Sequence, residues 1–411
     1  MSSRAGKYSV CRSSNVWRRS LPLKQTRFFL TQYLIVTIAA VFLVVTRSIA
    51  ADWSNKEFVV LTAEYNDNKR LTVAEYDTAM GSIAELALDI IRETEVSKLR
   101  LNPRLKFSRY SGEEGFDSDD QYLYTSYQYS TERSLFEIKA DYIRDSPLTS
   151  EFQDVEFVQT NKRRETWNAG PVWIYQITES LSSNAGASYI DVTHEDTETT
   201  GLIDYVYQSG FAGLQKSMTK YTEAGLTAYG SRYEALAVEN ETDDAGLQAS
   251  LASAYSESLT FNLKLSWHKS TIKVGPDGGF FRDTNEGRLL DLELEKQLDH
   301  SNLVFSVENE IKPSSSGLLE RHDRYRIDVS RQFTERTMGQ VKLINTFVDD
   351  VTENPLFVSW EYRQAICQLS YRIHQNWYFW GSYSYAWKKY EDADGSAESN
   401  AVLLSLRYQG Y

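Results

Sequence analysis

The chain has 411 residues, with 44 Lys and Arg against 57 Asp and Glu, a net charge of −13, and two Cys. Nucleic acid is bound through neutralisation of its phosphates by basic side chains, so this balance argues against a nucleic-acid partner. The charge is unevenly placed: residues 1–50 hold eight of the basic groups and none of the acidic ones, so the remainder carries −21.

In that N-terminal segment the basic residues lead into an uncharged run, "FFLTQYLIVTIAAVFLVV" at 28–45, followed by Ser48-Ile49-Ala50. Basic region, apolar region and small-x-small site are the order of a secretory signal cut after Ala50. The expected organisation is a signal peptide at 1–50 and an exported domain at 51–411. The apolar run is also long enough to anchor in an inner membrane, which leaves an uncleaved anchor as the alternative. Arg18-Arg19 matches a twin-arginine signal only loosely. Cys11 leaves with a cleaved signal, so Cys367 would stand alone with no intramolecular disulfide. No Cys follows the cut to carry a lipid anchor. No later apolar run approaches 18 residues, so any further membrane span is made of strands.

From about residue 95 onward, polar and apolar residues alternate almost everywhere. In "LRLNPRLKFSRY", Leu99, Leu101, Pro103, Leu105 and Phe107 share one face, and Lys98, Arg100, Arg104 and Lys106 the other. Two kinds of connection interrupt the alternation. Short ones resemble each other, such as "STERS", "ITESLS" and "FTERTM"; long ones between them are rich in Asp, Glu, Gly and Ser, such as "SGEEGFDSDD" and "VGPDGGFFRDTNEG". The short turns recur about every two strands plus one long loop. The alternation predicts an all-β fold, a transmembrane antiparallel up-and-down barrel of about 18 strands, with 16 possible. All long loops then lie at one end, as in outer-membrane barrels, whereas a soluble sandwich has no reason to sort its loops.

Strand-borne aromatics such as Trp173, Tyr175, Trp377 and Phe379 suit a bilayer headgroup zone. Pro103 and Pro171 each remove a ladder donor, which predicts a bulge or local edge near each. In the last segment, "AVLLSLRYQGY", Val402, Leu404, Leu406 and Tyr408 form an alternating row ending in an aromatic, similar to the terminal signal read by the outer-membrane insertion machinery. Gln409-Gly410-Tyr411 follow that aromatic and depart from the usual form.

The stretch "EYNDNKRL" at 64–71, the prolines in "LNPRLKFSRY" and "AGPVWIYQITESL", and the recurrent "TER" and "TES" turns resemble the β-barrel porins encoded beside exopolysaccharide and PEP-CTERM/exosortase gene clusters. That resemblance implies a barrel in the outer membrane of a Gram-negative envelope that passes a secreted polysaccharide and works with a periplasmic polysaccharide-export protein. It carries no catalytic motif.

No two His residues share metal-ligand spacing, so no metal and no cofactor are expected. His194 with Asp191, Glu195 and Asp196 is the nearest imitation of a catalytic cluster, and a solvated acidic loop accounts for it better. No enzyme activity is expected. "FDSDDQ" and "YEDADGS" gather carboxylates without the pattern of a calcium loop. The informative charges are those that parity points inward: Lys98, Arg100, Arg104, Lys106, Arg324 and Arg326, with Asp291, Glu293 and Glu295. They either cross-link and solvate the wall or set a selecting field in the lumen. Tyr378 and Trp380, also inward by parity, offer stacking surfaces for uncharged sugars.

The readings are therefore an exopolysaccharide conduit, a general diffusion porin for small solutes, or a structural barrel. Lipid and lipopolysaccharide are its expected surroundings. A diffusion porin would fold a long loop into its lumen, and "VGPDGGFFRDTNEG" is the expected one.

Overall fold

The computed structural model describes residues 52–73, 78–111, 115–146, 148, 161–236, 240–274, 281–314, 319–351, 358–391 and 395–410. The expected signal peptide at 1–50, with the expected cleavage residue Ala50, lies outside them. Eighteen strands follow in chain order: β1 Asp52–Asn66, β2 Ala79–Glu93, β3 Ser97–Ser111, β4 Ser118–Ser130, β5 Ser134–Asp145, β6 Arg164–Thr178, β7 Leu181–His194, β8 Tyr205–Ser217 and β9 Thr222–Ala235. They continue with β10 Asn240–Ser256, β11 Leu259–Val274, β12 Phe281–Leu298, β13 Ser301–Pro313, β14 Leu319–Gln332, β15 Thr337–Asp350, β16 Trp360–Arg372, β17 Trp377–Tyr390 and β18 Ala397–Gln409. Each pairs antiparallel with its chain neighbours, and β1 also pairs with β18, from Phe58 opposite Gln409 to Asn66 opposite Ala401. The sheet is closed, so no strand edge runs its full length exposed.

The connections alternate in length as the sequence predicts, short at the end that holds Asp52 and Gln409 and longer at the other. The recurrent Thr of the short turns has a local cause. Thr94 Oγ1 accepts the Ser97 amide at 3.0 Å, Thr131 Oγ1 that of Ser134 at 3.0 Å, and Thr334 Oγ1 that of Thr337 at 3.0 Å. The hydroxyl thus replaces a backbone acceptor and sets the tight reversal.

The two faces of the sheet differ as a bilayer requires. Outward rows expose large apolar side chains, including Leu61, Leu105, Phe136, Trp173, Leu226 and Leu404, while inward rows are polar and partly buried. Trp53, Tyr129, Tyr175, Tyr371, Trp377 and Tyr408 form an outward aromatic girdle near the short turns. Toward the loop end the same face turns charged: Arg232 pairs with Asp243 at 2.7 Å, Lys273 with Glu241 at 2.5 Å, and Arg321 with Asp349 at 2.9 Å. Exposed pairs contribute little stability; their position marks where the outward apolar band ends.

Strands of 12 to 18 residues exceed the 9 to 11 or so needed to cross a bilayer. Part of what reads as loop in the sequence, including Ser118–Asp120, Asn240–Asp244 and Phe281–Gly287, continues the ladder beyond the apolar band. The prolines do not make bulges. Around Pro103 the β2–β3 pairing lapses between Ala87–Arg104 and Ile90–Leu101, and around Pro171 the β6–β7 pairing lapses between Ala169–Tyr189 and Val172–Gly186; both resume in unchanged register. Asn102 Nδ2 reaches across to the Leu88 carbonyl at 3.0 Å and supplies a donor where the ladder lapses. Register shifts fall instead beside short turns, at Gln176–Thr178 and Ala254–Ser256.

Candidate functional site

The lumen is built from one residue in two along every strand. All nine charged positions singled out above share that face. Each basic residue of the β3 row meets a carboxylate: Lys98 with Glu93 at 3.2 Å, Arg100 with Asp89 at 2.6 Å, Arg104 with Glu85 at 3.2 Å and Lys106 with Asp120 at 3.9 Å. Sequence reading missed Glu85, Asp89 and Glu93 as partners, although their shared parity, every fourth residue in "AELALDIIRE", was visible. Whether that strand neighbours β3 with its acids on the same side is a matter of register.

On the far wall, Lys264, Asp291, Glu308 and Arg324 stand opposite one another on β11, β12, β13 and β14. Lys264 is 2.6 Å from Asp291, and Arg324 is 3.6 Å from Glu308. Arg326 pairs with Asp328 at 3.1 Å. Glu293 and Glu295 accept amide donors instead, from Asn262 at 3.4 Å and Asn302 at 2.9 Å. The lumen charges are therefore largely matched within the wall. Tyr378 and Trp380 also face inward, opposite Arg407 and Ser405.

Two segments fold into the mouth. The first is the connection after β1, the "NDNKRL" stretch. Asn68 is fully buried; its Nδ2 donates to the carbonyls of Thr72 and Glu398, both at 2.9 Å, and its amide donates to Asn66 Oδ1 at 2.9 Å. Asp67 accepts the Asn400 amide at 2.6 Å. Lys69 Nζ donates to Glu64 Oε1 at 2.6 Å and to the Tyr110 hydroxyl at 2.9 Å, while that hydroxyl donates to Glu64 Oε2 at 2.6 Å. Burial lowers the Lys69 pKa against the opposing pull of Glu64. Leu71, held at φ 51°, packs with Val348, Trp360, Tyr362, Ala386 and Ala397 on the inner faces of β15 to β18. The sequence singled out this stretch by its resemblance, not by its place in the lumen.

The second is the loop end of β13 and β14. Pairing of β13 with β12 stops at Asp291–Glu308, whereas its pairing with β14 runs on to Pro313–Leu319. The freed end leans inward: the Tyr233 hydroxyl on β9 donates to the Ser314 carbonyl at 3.0 Å, and Leu319 and Val351 pack against Val192, Tyr205 and Tyr233. The expected infolding segment, "VGPDGGFFRDTNEG", does not play this role in its described part, because Phe281–Gly287 belongs to β12. Its residues 275–280 lie outside the described residues.

Between this inward end and the wall of β7 to β12 lies a cavity of about 880 Å³. Its lining is rich in hydroxyls and amides and also includes the rings of Tyr207, Phe211 and Tyr229. The His194 cluster does not assemble: His194 lies 3.4 Å from Asp204, Asp196 is bound to Lys162 at 2.6 Å, and Asp191 is on the opposite face. His268, Asp244 and Ser270 are buried together, but Asp244 and Ser270 both meet Nδ1, at 3.0 and 3.2 Å. Nε2 packs over Gly287, so no hydroxyl stands where a base would activate it. Among the described residues no group of metal-ligating side chains converges.

No protein-family profile and no curated protein matches the sequence. The structure resembles that of OccK2 (OpdF) of Pseudomonas aeruginosa, free and in complex with glucuronate, each at TM-score 0.50 and 10% identity, over 87% of this chain and 98% of that one. It also resembles the outer membrane protein OpdK of Pseudomonas aeruginosa, at TM-score 0.46 and 9% identity, over 87% and 98% of the two chains. The chain has the closed antiparallel barrel fold of outer-membrane porins.

Proposed function

We propose that the protein is an outer-membrane channel for small hydrophilic solutes, with its long loops outside the cell and its short turns in the periplasm. The observation that carries this reading is the polar cavity in a lumen narrowed by two inward segments. A wet, polar wall lets a solute exchange its hydration for side-chain partners as it passes, and constrictions limit its size. The outward apolar rows are the lipid surface, and Val402, Leu404, Leu406 and Tyr408 lie on it as the row offered to the insertion machinery.

An exopolysaccharide conduit draws no support from the structural likenesses, and segments packed across the mouth favour small solutes over a polymer. The OccK2 complex holds an anionic sugar. The cavity here presents Asp244, Asp291, Glu293, Glu308 and Glu310, with Lys264 as its one lining cation, which disfavours that class. The test is reconstitution of the purified full chain. Stepwise conductance in planar bilayers and liposome swelling with small sugars and amino acids, but not with dextrans, is expected. Permeation of dextrans would replace this reading with the conduit.

A further inference from the structure

We propose that the inner wall of β7 to β12 is a binding strip for small neutral saccharides, an inference that rests on the channel reading and names its substrate class. The strip is a single cross-strand row, in which Gly186, Phe211, Tyr229, Gly246, His268 and Gly287 stand successively opposite one another. Rings and glycines are matched in space. A Cβ added to Gly186 would meet Phe211 Cε1 at 2.6 Å, one on Gly246 would meet Tyr229 Cζ at 2.5 Å, and one on Gly287 would collide with His268 Nε2.

Each ring therefore lies down on the backbone of a neighbouring strand, which only glycine permits at that distance. A ring lying on the wall presents its face to the lumen. Phe211 and Tyr229, half-buried, are the two whose faces border the cavity. A sugar has the complementary build, with an apolar C–H face and hydroxyls around its edge. The hydroxyls find partners on both sides of the row: Ser209, Ser231 and Asp244 toward the loop end, Asn184, Thr227 and Gln248 toward the turns. An apolar platform bordered by a few placed polar groups is the general form of a small-molecule site.

Charge selects among solutes. The inward rows of β7 to β10 hold no Lys or Arg, so an anion has no partner there. The carboxylates across the cavity are mostly matched, Asp291 with Lys264, Glu308 with Arg324 and Glu310 with Lys312. A cation thus gains little, whereas those oxygens still accept hydroxyl hydrogen bonds.

The test is titration of raffinose into the open channel, against glucuronate and lysine as charged probes. Raffinose is expected to reduce the wild-type current with a half-effect in the millimolar range. In Phe211→Ala/Tyr229→Ala, checked for folding by heat-modifiable gel mobility, the half-effect relative to that variant's own current should weaken at least tenfold. Gly186→Ala, whose Cβ would lift the Phe211 ring off the wall, should weaken it by a smaller factor. Conductance without a raffinose effect, an effect equal in wild type and double variant, or a preference for glucuronate or lysine would overturn the saccharide class. Absence of any conductance would instead sink the channel reading. Calorimetric titration of the detergent-solubilised protein with raffinose then decides the strip alone: binding lost in the double variant supports it, and no wild-type binding overturns it.

Discussion

Arg100 Nε lies 2.6 Å from Asp89 Oδ1, and its Nη2 donates to Asp89 Oδ2 at 3.0 Å, a two-point bond between adjacent strands inside the barrel. The β3 cations Lys98, Arg100 and Arg104 are thus bound to an acidic row on β2, and the two rows largely cancel within the wall.

Removing either partner should unmask the other. Arg100→Gln is expected to shift the reversal potential in a potassium chloride gradient toward cation selectivity, and Asp89→Asn toward anion selectivity. The double variant should return near wild type. Shifts of the same sign in both single variants would show that the pair does not set the lumen field.

Leu226 is 58% exposed on the outer face of β9, and Thr227 follows it on the inner face. Arg at the middle of a lipid-facing strand costs about 2 to 4 kcal/mol, while a wet lumen solvates it. Leu226→Arg should therefore lower the amount of folded, heat-modifiable protein in the outer membrane far more than Thr227→Arg. Equal amounts would reverse the assignment of faces.

Leu71 anchors the first inward segment, 1% exposed among residues of four strands. Leu71→Asp places a carboxylate in that apolar cluster, where an unpaired charge is costly, so the segment should leave the wall and single-channel conductance should rise. Lys69→Met should act in the same direction by stranding Glu64, since breaking a buried pair costs about 3 to 5 kcal/mol. Unchanged conductance in both variants would mean that the segment does not narrow the path.

The basic region, apolar run and Ser48-Ile49-Ala50 at the N-terminus predict a signal removed on export. Protein isolated from the outer membrane should begin at Ala51 by N-terminal sequencing, and Ala50→Arg should accumulate the precursor. A mature chain that retains residues 1–50 would establish the anchor instead.

The sequence by itself determined the strand periodicity, the sorting of long and short connections, the faces of "LRLNPRLKFSRY" and the Thr-headed turns, because each is a local property. A period of two assigns faces without knowledge of neighbours, and a Thr hydroxyl reaches an amide three residues on. Only the tertiary structure decided what those faces meet. That Asp89 neutralises Arg100, that Pro103 interrupts a ladder without shifting it, and that Leu71 reaches β15 to β18 all depend on register or long-range packing. The row of rings over glycines is the clearest case, because Gly186 and Phe211, or Gly246 and Tyr229, are unremarkable in the chain and become a surface only when antiparallel pairing sets them opposite each other. A shift of one residue would turn every such side chain to the other face, so the lumen's chemistry resides in the register of the closed sheet.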